Sequence, residues 1–153
     1  MTPEQRLQAL QLALPAAISP RANYVTHRHV GGILYLSGHG PRLADGSCRT
    51  GKLCDEHDVA RGYDDARLTA LNLLATAKLA IGELSRVQAV VSVFGMVNAA
   101  PDFSLHPMVI NGCSDLLVEV FGAEVGRHTR SAVGMGSLPS GMSVEIEMIL
   151  AVM

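Results

Sequence analysis

Three side chains near the C-terminus have the types and spacing to do chemistry: Arg130, Glu145 and Glu147. A guanidinium is planar and permanently charged, and it grips a carboxylate through two parallel hydrogen bonds. A glutamate can position water and take or return a proton. From Met142 the even positions Val144, Ile146, Met148, Leu150 and Val152 are apolar, while the odd positions begin Ser143, Glu145 and Glu147. This period of two predicts a strand with both glutamates on the face opposite the aliphatic row. Arg130 opens a shorter strand, Ser131 to Met135, and Leu138-Pro139 lies in the connection. A hairpin-like return is expected to bring Arg130 beside Glu145. Such a pair is either a structural ion pair of the sheet or a functional cation with an acid–base partner. Glu147, one period further along, is expected to be structural or interfacial.

The elements that must hold these groups follow from hydrophobic period and from turn residues. Thr2, Pro3 and Gln5 form a capping-box start for a helix that should stop before Pro15. Asn23 to Val30 and Ile33 to Ser37 read as strands joined at Gly31-Gly32. A polar loop runs from Gly40 to Asp58. Tyr63, Ala66, Ala70, Leu74, Ala77 and Ile81 then recur at helical spacing over Val59 to Ile81, and Gly82 stands at the cap position. Val87, Ala89, Val91, Val93, Gly95 and Val97 alternate with Gln88, Val90, Ser92, Phe94 and Met96, so that strand is apolar on both faces and reads as central. Pro107 opens a second long helix, with Val109, Cys113, Leu116 and Val120 inward and Gly122 as its stop. The order is α-ββ-α-β-α-ββ. Two long helices cover one face of such a sheet, and homo-oligomerisation is the simplest cover for the other.

The bulk numbers exclude several classes. A chain of 153 residues is one domain with a sizeable core. It is 48% hydrophobic and 17% charged, which is apolar enough to point to buried surface between subunits. A net charge of -2, a pI near 6.3 and 4% aromatic residues argue against nucleic acid and acidic membrane surfaces as partners. The uncharged run Val87 to Pro101 is too short and polar to span a bilayer. Three cysteines and no secretory start favour reduced thiols in a cytoplasmic protein. Cys48, Cys54 and His57 lack a fourth ligand at zinc spacing, so no metal is expected. His27, His29, His106 and His128 read as surface or loop histidines, and Cys113 as a small core residue.

Tyr24-Val25, Leu36-Ser37-Gly38, Ala70-Leu71-Asn72-Leu73, Asp102-Phe103 and the block from Arg130 to Glu147 occur in an order and spacing that identify a family. The chain resembles the RidA/YjgF family (reactive intermediate deaminase, endoribonuclease L-PSP). It is most similar to a branch with an N-terminal helical extension, here residues 1–20, and the run Val109 to Leu117. The resemblance implies a chorismate-mutase-like α+β fold of the bacillus type: a mixed sheet with two long helices on one face, assembled as a homotrimer with clefts between subunits. It also implies cofactor-independent hydrolysis of 2-imino acids, such as 2-aminoacrylate/2-iminopropionate, to 2-oxo acids and ammonia. Arg130 falls on the family's carboxylate-binding arginine and Glu145 on its water-handling glutamate. Tyr24, Ser37, Gly38 and Asn111 fall on cleft-lining positions. Three departures from the family pattern bear on substrate choice: Ala132 replaces a common cysteine, extra residues lie between Phe103 and Asn111, and His39 replaces the glutamine after Ser-Gly, which sets His39 beside the expected cleft.

Overall fold

A computed structural model describes residues 1–153. Eight main elements follow one another: α1 (Pro3–Ala9), β1 (His27–Val30), β2 (Ile33–His39), α2 (Val59–Ile81), β3 (Val87–Asn98), α3 (His106–Gly126), β4 (Thr129–Met135) and β5 (Val144–Val152). The strands form one mixed sheet in the order β1-β2-β5-β3-β4. Only β3 and β4 run parallel. The order of elements and the two helices on one face agree with the sequence pattern.

The short helix α1 begins as its capping box requires, with Gln5 N–H donating to Thr2 Oγ1 and Thr2 N–H to Gln5 Oε1. It ends at Ala9, well before Pro15, and Gln11 takes φ +57°. Its Leu7 is buried in the core, and Glu4 Oε1 accepts from the Leu84 N–H, which ties the extension to the helix layer. The β1–β2 turn is made by Gly31 and Gly32 at φ +57° and +80°, a conformation that costs glycine little. β1 starts at His27, four residues later than Asn23, and β2 extends to His39. α2 occupies Val59–Ile81, stopped by Gly82 at φ +84°. Gly122 breaks α3 at φ +82°, and one more turn follows it.

Along β5 the even positions Val144, Ile146, Met148, Leu150 and Val152 are buried under the helices, while Glu145 and Glu147 face the uncovered side. Strand β3 departs from simple alternation. Its buried positions are Val87, Val90, Val93, Gly95, Val97 and Asn98, and the spacing of the first three arises because two register shifts against β5 insert extra residues near Gln88 and Val91. β3 is an interior strand, as its two apolar faces require, and β5 is the middle one. The helices α2 and α3 cross with Gly112 directly over the Tyr63 carbonyl, a contact no larger residue can make. Polar groups within the core are satisfied: Asp65 accepts from Ser143 Oγ at 2.6 Å and from Arg49 Nη1 at 3.1 Å. No helix is long and apolar enough to cross a membrane.

Candidate active site

Arg130 and Glu145 do not face each other within one chain. β4 returns beside β3, not beside β5, so β3 lies between the two residues. The expected hairpin-like return fails because β3–β4 is a parallel pair, whose connection is the whole of α3. Arg130 is in register with the buried Val93 and projects toward α3, whereas Glu145 is in register with Met96 on the uncovered face. Two strand spacings across and three residues along place their Cα atoms roughly 14 Å apart, on opposite faces. The structural ion pair is thereby ruled out as well, since neither group takes part in any salt bridge.

The guanidinium is held by neutral groups. Its Nη1 donates to Asn111 Oδ1 at 2.8 Å and to Ser114 Oγ at 3.1 Å, and Nη2 lies 3.4 Å from the Pro107 carbonyl. Asn111 and Ser114 lie one turn apart on the same side of α3, so both reach one arginine. Ser114 Oγ also lies 2.9 Å from His128 Nε2, while His128 Nδ1 lies 2.7 Å from the Gly126 carbonyl. With Nδ1–H donating to that carbonyl, Nε2 accepts the serine hydroxyl, and the serine oxygen is left to accept from Arg130. Burial keeps the His128 pKa below its ordinary value, and the Arg130 charge pushes the same way, against the hydrogen bond to Gly126. Cys113, on the same helix, has its thiol pushed up to about 12 by burial, although Arg130 pulls it down. This is the buried, unreactive residue its spacing indicated.

The other residues gather elsewhere. Tyr24, Ser37, Gly38 and Glu145 line one cavity of about 590 Å³, together with Arg21, Arg42, Thr50 and Ser140. A bulge in β2 builds its wall. Leu36 pairs with Met148 and His39 with Ile146, so three steps on β2 match two on β5. The bulge holds Ser37 and Gly38 over Glu145, whose carboxylate occupies the space a Cβ on Gly38 would need; its Cδ and Cγ lie 3.0 and 3.1 Å from that point. Glu145 has a raised pKa, first because burial disfavours its charge and then because Glu147 repels it. Ser37 Oγ donates to the Val25 carbonyl at 2.7 Å, so its proton is already committed.

His39 borders this same cavity, but its ring does not enter it. Alternation from Tyr35 through Ser37 would put it over the cleft, but the extra residue of the bulge turns its side chain to the helix face. The ring is 1% exposed, with Nε2 2.8 Å from Thr76 Oγ1 and Nδ1 2.6 Å from the Ser37 carbonyl. Its pKa is lowered by burial, partly offset by the bond to Ser37 and reinforced by Arg42. The sequence reading also missed Ser114, Arg21 and Arg42. For Ser114 a signal existed, since it follows Asn111 by the helical interval of three. For the two arginines there was none, because both sit in irregular segments.

The sequence and the fold match known proteins. Residues 4–146 match the family model described as "YjgF/chorismate_mutase-like, putative endoribonuclease", and the chain belongs to this RidA/YjgF family. Protein TCP17 of Trypanosoma cruzi is 42% identical over 144 residues, 94% of this chain and 90% of that protein. Among solved structures, the protein Atu1372 from Agrobacterium tumefaciens is 40% identical with a TM-score of 0.89, over 99% of this chain and 94% of that one. A Shewanella oneidensis structure described as "a putative endoribonuclease" is 33% identical with a TM-score of 0.92, over 99% and 100% of the two chains.

Proposed function

We propose that the protein hydrolyses small 2-imino acids to 2-oxo acids and ammonia without a cofactor, in clefts formed between copies of the chain in a homotrimer. The observation that carries this is the separation of an unpaired cation from an unpaired acid. Arg130 is fixed by neutral partners on the edge strand β4, and Glu145 lies in a cavity on the opposite face with no cationic partner. A charged side chain held without a counter-ion is a preorganised ligand site, and a second copy is what brings the two halves together. The open sheet face supports the same assembly, since it presents Tyr35, Phe94, Met96 and Ile149 without a covering layer.

In this cleft Arg130 holds the substrate carboxylate and so orients the adjacent C=N carbon. Glu145, with its raised pKa, takes a proton from the attacking water as the C–O bond forms. It returns that proton to nitrogen, takes up the hydroxyl proton as the C–N bond breaks to give the 2-oxo acid, and passes it to the departing ammonia, which leaves as ammonium. Protonated imine carbon is already electrophilic, so no covalent nucleophile is required of the chain. Asn111 and Ser114 keep the guanidinium aimed, while Tyr24 and Gly38 shape the cavity.

The test is ammonia release from imines generated in situ by an amino-acid oxidase, measured above the buffer rate. Wild type exceeds buffer, and Arg130→Ala falls to it. Equality of wild type and buffer would leave a carboxylate-binding trimer without turnover. The endoribonuclease wording of the family finds little support in a net charge of -2 and 4% aromatic residues. Steep salt-dependent RNA binding at physiological ionic strength would reverse that judgement.

A further inference from the structure

The cavity around Glu145 contains two cations that nothing in the chain neutralises. Arg42 Nη1 donates to the Gly46 carbonyl at 2.8 Å, and Arg21 Nη2 lies 3.5 Å from the same oxygen. Two guanidinium groups thus converge on a single neutral acceptor, an arrangement that costs Coulomb energy unless an anion joins them. Neither arginine forms a salt bridge. The acid in the same turn, Asp45, is engaged instead by the Ser47 N–H and hydroxyl at 2.9 and 2.6 Å. Most of the five N–H donors on each guanidinium therefore remain available. Arg42 is not adrift: its carbonyl accepts from Asn72 Nδ2 at 3.1 Å, and its backbone pairs with Cys48. Both arginines line the same 590 Å³ cavity as Tyr24 and Glu145. The six heavy atoms of a three-carbon imino acid would leave most of that space unfilled.

We infer that Arg21 and Arg42 form a second oxyanion subsite in the Glu145 cavity, selecting ligands that carry an acidic group beyond the 2-imino or 2-oxo acid head. The class of substrate is then a 2-imino dicarboxylic acid or its phosphate-bearing counterpart. Arg130 from a second copy holds the α-carboxylate, and the two arginines hold the distal anion. This assignment rests on the proposed imine hydrolysis for its catalytic meaning but not for its binding chemistry.

The test is calorimetric titration of the full-length protein with 2-oxoglutarate, phosphohydroxypyruvate and 2-oxobutyrate. The first two separate a carboxylate from a phosphate as the preferred second anion. At least one of them should bind about tenfold more tightly than 2-oxobutyrate, the advantage a single well-made charge-assisted contact gives. Arg42→Gln and Arg21→Gln should each shrink that ratio toward one, whereas Arg42→Lys, which keeps the charge, should preserve most of it. A loop that merely loses its packing in Arg42→Gln would weaken all three ligands alike. Equal affinity for the three ligands in wild type, or a preference that survives both glutamine variants, overturns the subsite. Absence of ammonia release with a preserved binding ratio would remove the hydrolysis alone and leave the subsite standing.

Discussion

Mixing two inactive variants should regenerate activity if each catalytic centre takes its arginine and its glutamate from different chains. Arg130→Ala removes the carboxylate grip, and Glu145→Gln removes the proton acceptor. Each alone should lose at least about 100-fold, the scale of a general base or of charge-assisted bonds near 1.5–3 kcal/mol apiece. Within one chain the two residues are separated by β3, lie on opposite faces, and stand roughly 14 Å apart at Cα. No rotamer carries either side chain through a hydrogen-bonded sheet. In a cyclic assembly reconstituted from an equal mixture, an interface is complete when the Glu145→Gln chain supplies Arg130 and its neighbour supplies Glu145. Half the chains satisfy each requirement, so about a quarter of wild-type activity returns, whatever the ring size. The assay is ammonia release after co-refolding, with native mass spectrometry to verify mixed oligomers. Mixed oligomers whose activity equals the sum of the parents would refute the reasoning, because both groups would then serve one chain's own site.

Other perturbations test single links. Glu145 has its pKa raised above the ordinary 4.5, by burial and then by Glu147, so its reactive carboxylate form appears as pH rises through that raised value. The acid limb of kcat/KM should lie above 4.5 and move down in Glu147→Gln, whereas a limb that ignores Glu147 would remove the assignment. Gly38→Ala places a methyl against the Glu145 carboxylate; kcat should fall at least tenfold (about 1.4 kcal/mol) while urea unfolding shifts by about 1 kcal/mol or less, because the flexible carboxylate end can move. Thr76→Val leaves His39 Nε2 without its partner in the core and should cost about 1–3 kcal/mol in urea unfolding at neutral pH. The lowered His39 pKa means that the unfolded chain binds more protons below 6.5; stability is therefore full above 6.5 and declines as pH falls. His128 acts in the same direction, and His39→Gln should flatten part of that decline, read as urea midpoints at pH 7.5 and 5.5.

Much of the architecture was legible because helical and strand periods survive in the chain. α2 matches the run from Val59 to Ile81, and β5 places Glu145 and Glu147 away from its aliphatic row. Turn chemistry at Gly31-Gly32 and Gly82 marked boundaries, since positive φ costs most other residues. Bulges were invisible. An inserted residue leaves the local alternation of residue types unchanged and yet reverses the faces that the following side chains meet, as His39 in β2 demonstrates, until a second insertion restores them, as happens between Val87 and Val93 in β3.

The amino-acid order by itself determined which residues carry charge and which strand holds each of them, because those are matters of local pattern and side-chain type. Only the tertiary structure decided that β3 intervenes between Arg130 and Glu145, that Asn111 and Ser114 aim the guanidinium, and that Arg21 and Arg42 share one carbonyl. Strand order and loop convergence depend on long-range pairing and on where buried polar groups find partners. Those are properties of the packed whole, and no short window of residues contains them.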